Sequence, residues 1–290
     1  SSLWLDKWSY LSVNSILPKG DVHPTVENQL CGNITASRVL SGTYYLTCPT
    51  YVKPDVTLTI LPGTVIEAYA QDKHGRSPLL VVERDAAIAA SGTKSEPITL
   101  SSVYPSSVLP QRGTWGGMVL CGKAPVKYES NIERIEFCSY GGKQLNDSSG
   151  TMTYVRIWYG GACGGCNSTA SMGGLTLAGV GSKTVVDHVE TAFSLEDGFK
   201  IKGGTVDIKY SSSLFNLGDA YDFSESYQGR LQFLFGMVDQ GGDHALNVDG
   251  DSSSVSFPTF PTIYGATFLM NKETENKGSS LVSFQNGAGG

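Results

Sequence analysis

An apolar pair with one residue between its members recurs along this chain: Ile135/Phe137, Val155/Ile157, Leu175/Leu177, Phe199/Ile201, Tyr221/Phe223 and Leu246/Val248, at steps of about 20 to 25 residues. No other feature restricts the fold so strongly. Alternation over so short a run marks a strand with one buried face, and hairpins do not return at that spacing. A repeat of this length built of short strands is what one coil of a parallel β-helix needs, each coil burying its inward side chains on the next. A β-sandwich is the competing arrangement for so many short strands.

The rest of the chain has the same texture. VTLTILPGTVIEA (56–68), LLVVERDAAIAASGTKSEPITLSS (79–102) and WGGMVLCG (115–122) each read as one or two strands of about 4 to 6 residues with a turn at each break. With 35 Gly and 14 Tyr, 40% hydrophobic and only 17% charged residues, the composition suits turns and strands better than helices. Residues 1–41 show no period and scatter Trp4, Trp8, Pro18 and Pro24 among polar residues, so they are expected to form an N-terminal cap on a β-helix spanning 42–290.

The formal net charge of −6 and the absence of a basic run argue against a nucleic-acid partner. An acidic surface also has the wrong sign for anionic lipids, and no apolar stretch approaches the roughly 20 residues of a membrane span, so no membrane insertion is expected. Six cysteines fall in three sequence-local pairs, Cys31/Cys48, Cys121/Cys138 and Cys163/Cys166. Three short-loop disulfides fit that pattern, although six cysteines allow about 15 connectivities. Zinc at the lone Cys163-x-x-Cys166 is a weaker alternative, since no second such pair or His pair accompanies it. N-x-S/T sequons at Asn33, Asn146 and Asn167 lie in polar, turn-like stretches. Together with paired cysteines they favour a secreted or cell-surface glycoprotein.

Several motifs carry a family resemblance: LTILPGTVIEA, AAIAASGTKSEPITL, RGTWGGMVLCGKAP, YVRIWYGG, GGLTLAGVGSKTVVDHVE, DGFKIKGGTV and GDAYDFSESYQGRLQFLF. The chain resembles secreted, repeat-containing right-handed parallel β-helix proteins of the pectate-lyase-like superfamily over about residues 42–290. The resemblance implies that fold and an extracellular location, and it implies no agreed activity. Against the family pattern, the cysteines and the segment 1–41 look like additions, and the sequence stops at FQNGAGG where relatives continue. Either the C-terminus is trimmed or the last coils come from elsewhere, with end-to-end pairing into a homo-oligomer or filament as one expectation.

Aligned on the apolar pair, Asp197 and Asp219 each stand two residues before it, and so does His244. Three ionisable groups then stack on successive coils about 4.8 Å apart, with Asp222, Asp243, Asp249 and Asp251 flanking the same edge. Two carboxylates that close raise each other's pKa unless a cation or donor lies between them. Polysaccharide cleavage is one use, because glycosidases hold two carboxyls about 5 to 9.5 Å apart, and Asp197, Asp219, Asp222 and His244 are the catalytic candidates. SLEDGFKI, LGDAYDF and GGDHALNV are superficially similar to the acid and histidine stations of polygalacturonases. They depart from them in Ala220, where a second Asp is expected, and in Ala245, where a glycine is. A lyase needs a basic residue, and Lys200, Lys202 and Lys209 are near. Calcium is a second use, with Asp197, Asp219 and Asp222 as ligands, although no EF-hand spacing occurs.

Recognition is the third use. Tyr154, Trp158, Tyr159, Tyr221 and Tyr227 interleave with acids and amides, and a sugar-binding edge would comprise Asp197, Asp219, Tyr221, Asp222 and Asp243. Against all three stands the ordinary role of Asp and Gly in tight turns, where Asp accepts backbone hydrogen bonds. His23, His74 and His188 form no triad order, and neither G-x-S-x-G nor a P-loop is present. The leading expectation is an extracellular structural or adhesive β-helix that binds glycans or other surface polymers, with a polysaccharide hydrolase or lyase as the alternative.

Overall fold

The alternation of inward and outward side chains produces one long stack of parallel strands. In the computed structural model, which describes residues 25–104, 111–126, 133–135, 138–162, 172–250, 258–271 and 279–290, nineteen strands join in a continuous parallel ladder. Successive coils wind as a right-handed parallel β-helix with three strand-bearing faces. No helix occurs among the described residues.

The first face stacks Leu80–Val82, Met118–Cys121, Leu175–Ala178, Phe199–Lys202, Tyr221–Ser224, Leu246–Asp249 and Val282–Gln285 in that order. The second and third faces share long strands, Gly150–Trp158, Val185–Ala192, Asp207–Leu214, Arg230–Val238 and Thr262–Met270. Each of these turns a corner midway, so the first half of Gly150–Trp158 pairs with Ala87–Ser91 and the second half with Ile98–Ser102. The core is the inward row of each face: Val155, Ile157, Phe199, Ile201, Ile208, Tyr221, Phe223, Leu231 and Val248 are all buried. Each such aliphatic or aromatic side chain contributes about 1.5 to 3 kcal/mol on leaving water.

The repeat holds where Leu175, Phe199, Tyr221 and Leu246 stack directly on one another. It fails before that. Leu175 lies on Met118, whereas Val155 lies between Ile98 and Val189 on a different face. Ile135 belongs to a separate antiparallel pair, Glu133–Ile135 with Cys138–Tyr140, and Phe137 is outside the described residues. An inward-facing pair has the same alternation wherever it sits on the coil, so spacing alone does not distinguish one face from the next. At the other end, Gln29–Ile34 and Arg38–Leu40 already pair in parallel with Thr43–Val52 and Thr57–Ile60.

Two disulfides, Cys31–Cys48 and Cys121–Cys138, form as paired in sequence, with Cα atoms 4.8 and 6.5 Å apart. The Cys163/Cys166 expectation and the Asn167 sequon lie outside the described residues; Asn33 and Asn146 are exposed. Cys121–Cys138 ties an excursion to the outer side of the first face. There Val81, Val119, Val126, Tyr140 and Met172 make a second small core.

The corners are built in an unusual way. At the bend of each long strand stand Tyr154, His188, Tyr210 and Phe233, with φ of 48°, 52°, 50° and 61°. Bulky residues seldom adopt this left-handed conformation, which costs roughly 1 to 2 kcal/mol per residue. The rings stack face to face along the helix axis, with centroids 4.3, 4.7 and 4.9 Å apart. A second stack, Tyr159, Phe193 and Phe215, lines the corner after the third face at 5.3 and 5.2 Å, again with positive φ throughout. Each ring contact returns about 0.5 to 1.5 kcal/mol beyond area burial, which offsets the strain.

Phe193 separates the two effects. Phe193→Ala loses both ring contacts and keeps the strain, so chemical denaturation is expected to show a loss of about 1 to 3 kcal/mol. Phe193→Gly loses the same contacts and relieves the strain, and should be more stable than the alanine variant by about 1 kcal/mol. Equal stability of the two variants would remove the strain account.

Candidate functional site

The acidic row forms as its register requires. Asp197, Asp219 and His244 precede Phe199, Tyr221 and Leu246, which stack directly. Asp197 Oδ1 accepts the backbone N–H of Asp219 at 2.8 Å, and Asp219 Oδ1 accepts that of His244 at 2.8 Å. Each acid thus caps the turn of the following coil. The glycine before Asp219 is required here, because a Cβ on Gly218 would lie 2.5 Å from Asp197 Oδ1. Gly198 is equally constrained, with Ser213 Oγ 2.0 Å from where its Cβ would be.

The remaining oxygens have different fates. Lys200, which lies opposite Asp222 in the ladder, places Nζ 2.7 Å from Asp197 Oδ2 and 2.9 Å from Asp222 Oδ2. Burial alone would lower the ammonium pKa, but Asp222 and then Asp197 hold it above its ordinary value. Asp222 Oδ1 accepts the Asn247 amide at 3.2 Å. Of the Asp197, Asp219 and Asp222 set expected to hold calcium, Asp197 and Asp222 each turn one oxygen to the Lys200 ammonium.

Asp219 is the exception in the row. Its Oδ1 also lies 2.8 Å from His244 Nδ1, while Oδ2 has no hydrogen-bond partner among the described residues. Burial first, then the charges of Asp197 and Asp222, push this carboxyl up to about 7 against the hydrogen bonds from His244. A carboxyl of that acidity can give or take a proton near neutrality. The exposed Asp243 approaches the same ring, its Oδ1 3.2 Å from His244 Nδ1, so the donor atoms of Asp219, Asp243 and His244 lie within 4.8 Å of one another.

The aromatic expectations divide. Tyr221 and Tyr227 are wholly buried and are not ligand contacts; the Tyr221 hydroxyl lies 3.1 Å from Ser211 Oγ, and that of Tyr227 donates to Val206 O at 2.7 Å. Tyr221 faces inward by its two-residue register with Phe223, while Tyr227, beyond the strand, packs its ring against Phe223 in the core. Tyr154 and Trp158 are half-buried, and Tyr159, also half-buried, packs against the core.

Tyr154 belongs to a groove of about 230 Å³ that sequence reasoning did not assemble. Tyr154, His188 and Tyr210 line it along the corner, and Arg156, Glu190 and Ser212 lie side by side on the third face. Glu190 is held on both oxygens, by Trp158 Nε1 at 2.9 Å and Ser212 Oγ at 2.8 Å. The Arg156 guanidinium lies 5.4 Å from the centre of the Trp158 ring. The triplets TYV, DHV, KYS and QFL, each an aromatic ring before an inward residue, were the available signal. Their unequal steps obscured it, the first being much the longest because it spans a coil with an insertion.

Two outcomes test the acidic row. The folded state holds a proton on Asp219 that an ordinary Asp, near 3.8, has released, so this group's stabilisation is complete below about pH 4 and is lost as pH rises through about 7. Thermal melts across that window should show the stability of Asp219→Asn relative to the parent rising from pH 4 to pH 8; parallel curves would contradict the raised pKa. Lys200→Met leaves two carboxylates uncompensated and should cost about 3 to 5 kcal/mol in denaturant titration.

The family model of the pectate-lyase like beta helix domain matches residues 32–290. No curated protein and no solved structure matches the chain. The family match spans nearly all of the parallel ladder, and the chain belongs to the pectate-lyase-like β-helix domain family.

Proposed function

We propose that this protein is an extracellular β-helix module that binds glycans in the groove along the Tyr154–His188–Tyr210 corner. The observation that carries the reading is the combination of apolar ring edges with unspent donors. The hydroxyls of Tyr154 and Tyr210 make no hydrogen bond among the described residues, and neither does the Arg156 guanidinium. Sugars present hydroxyls beside apolar C–H patches, and a rigid groove with both kinds of surface binds them without ordering a loop. The two disulfides support an extracellular location, since such bonds persist in oxidising compartments.

A second reading rests on Asp219 alone. A carboxyl poised at about 7 with one oxygen free of protein partners is suited to proton transfer on a polysaccharide lying across the first face. The locking of Asp197 and Asp222 by Lys200 leaves that carboxyl without an obvious second catalytic acid, which favours binding over turnover.

The readings separate by experiment. A glycan array followed by calorimetry should find ligands whose affinity falls about tenfold in Tyr210→Ala and is unchanged in Asp219→Asn. Absence of any glycan ligand would defeat the binding reading. Release of reducing ends or unsaturated products, lost in Asp219→Asn, would establish the enzymatic one instead.

A further inference from the structure

We infer that the far end of the acidic row is a binding site for a divalent first-row transition ion, Zn²⁺ foremost, held by Asp219, Asp243 and His244. The site lies on the first face, outside the corner groove, and does not depend on what that groove binds. Three observations carry it.

The first is the convergence of two carboxylates on one ring nitrogen. His244 Nδ1 lies 2.8 Å from Asp219 Oδ1 and 3.2 Å from Asp243 Oδ1, and the donor atoms of the three residues lie within 4.8 Å of one another. Nδ1 carries at most one proton, which makes a straight hydrogen bond to one of these oxygens and leaves the other without it. A cation serves all three atoms at once. Nitrogen and oxygen ligands about 2.0 to 2.2 Å from one zinc ion stand roughly 3 Å or a little more from each other, and the two measured pairs have that spacing.

The second is bonding capacity left unspent. The side chains of Asp219 and His244 are only 9% and 10% exposed, yet Asp219 Oδ2 and His244 Nε2 have no hydrogen-bond partner among the described residues. Polar atoms on side chains so enclosed are ordinarily paired within the protein. The third is charge. Neither Asp219 nor Asp243 pairs with a Lys or Arg among the described residues, because Lys200 is engaged by Asp197 and Asp222, and Lys202 by Glu225. Two carboxylates without a compensating cation favour a dication between them.

The donor set selects the ion. Imidazole nitrogen suits zinc, cobalt, nickel and copper, whereas calcium and magnesium take oxygen ligands. Three protein ligands leave a position for water, as in open zinc sites, and the exposed Asp243 puts the cluster in reach of solvent. Binding releases to solvent any proton held on Nδ1 or on the Asp219 carboxyl. Asp219 belongs to one coil and Asp243 and His244 to the next, so the ion fastens two coils together.

The test is calorimetry on the intact protein, stripped with a chelator and dialysed, with Zn²⁺, Co²⁺, Ca²⁺ and Mg²⁺ as separate probes. The inference expects Zn²⁺ to bind with one-to-one stoichiometry and about tenfold or more tightly than Ca²⁺ or Mg²⁺. Co²⁺ at the same site should give a visible absorption band that added Zn²⁺ removes. Asp243→Asn, at an exposed position that leaves the fold intact, should weaken Zn²⁺ about tenfold or more. His244→Gln should abolish the cobalt band. His74→Gln, which removes an exposed histidine on another turn, should change neither readout. Absence of saturable Zn²⁺ binding, Ca²⁺ binding as tight as Zn²⁺, Zn²⁺ affinity indifferent to both Asp243→Asn and His244→Gln, or its loss in His74→Gln overturns the site. None of these outcomes bears on the glycan reading, whose probes are sugars.

Discussion

The constraint on which everything else depends is the in-register parallel hydrogen bonding of one coil on the next. Leu175, Phe199, Tyr221, Leu246 and Val282 lie directly above one another because each backbone is bonded to the coil before it. That register leaves no freedom to stagger like residues, so whatever a position carries is repeated at roughly 4.8 Å. Rings become stacks and acids become rows. Both are costly unless something fills the space between members.

The two rows meet that cost differently. At the corners, left-handed backbone strain at Tyr154, His188, Tyr210 and Phe233 is offset by ring-on-ring contact, and the same rings create the wall of the groove. On the first face, repulsion between Asp197 and Asp222 is offset by Lys200 and by backbone N–H donors from the following coil. Asp219 has no contact with that ammonium, and burial, with the charges of Asp197 and Asp222, raises its pKa. The outside of this solenoid thus has one edge where Lys200 compensates two of the acids and another where a guanidinium is left available. Function is more readily expected at the second, since a satisfied network has little free energy left for a ligand.

How much was legible follows from these same rows. The Asp197–Asp219–His244 alignment could be read because the steps from coil to coil are nearly equal there. Its chemical state could not, because the Lys200 bridge depends on outward side chains from two coils meeting across the ladder. Tyr221 was assigned to a ligand edge although its place in the apolar pair made it core. The Val155/Ile157 pair was placed on the wrong face, since inward alternation looks alike on all three. The groove escaped notice because Lys94, Arg156, His188 and Tyr210 lie far apart along the chain and join only through coils of unequal length.

The sequence by itself determined that the chain winds as a β-helix, because the apolar alternation is local and its recurrence admits few other ways to bury every inward side chain. It also suggested local cysteine pairs, while the choice of Cys31–Cys48 and Cys121–Cys138 among the possible connectivities came from the folded coils. Only the tertiary structure decided which coil positions coincide: that Lys200 neutralises Asp197 and Asp222, and that Arg156 faces a groove with its donors unspent. Insertions of different length between strands change the sequence spacing without changing the stacking, and stacking alone brings these side chains together.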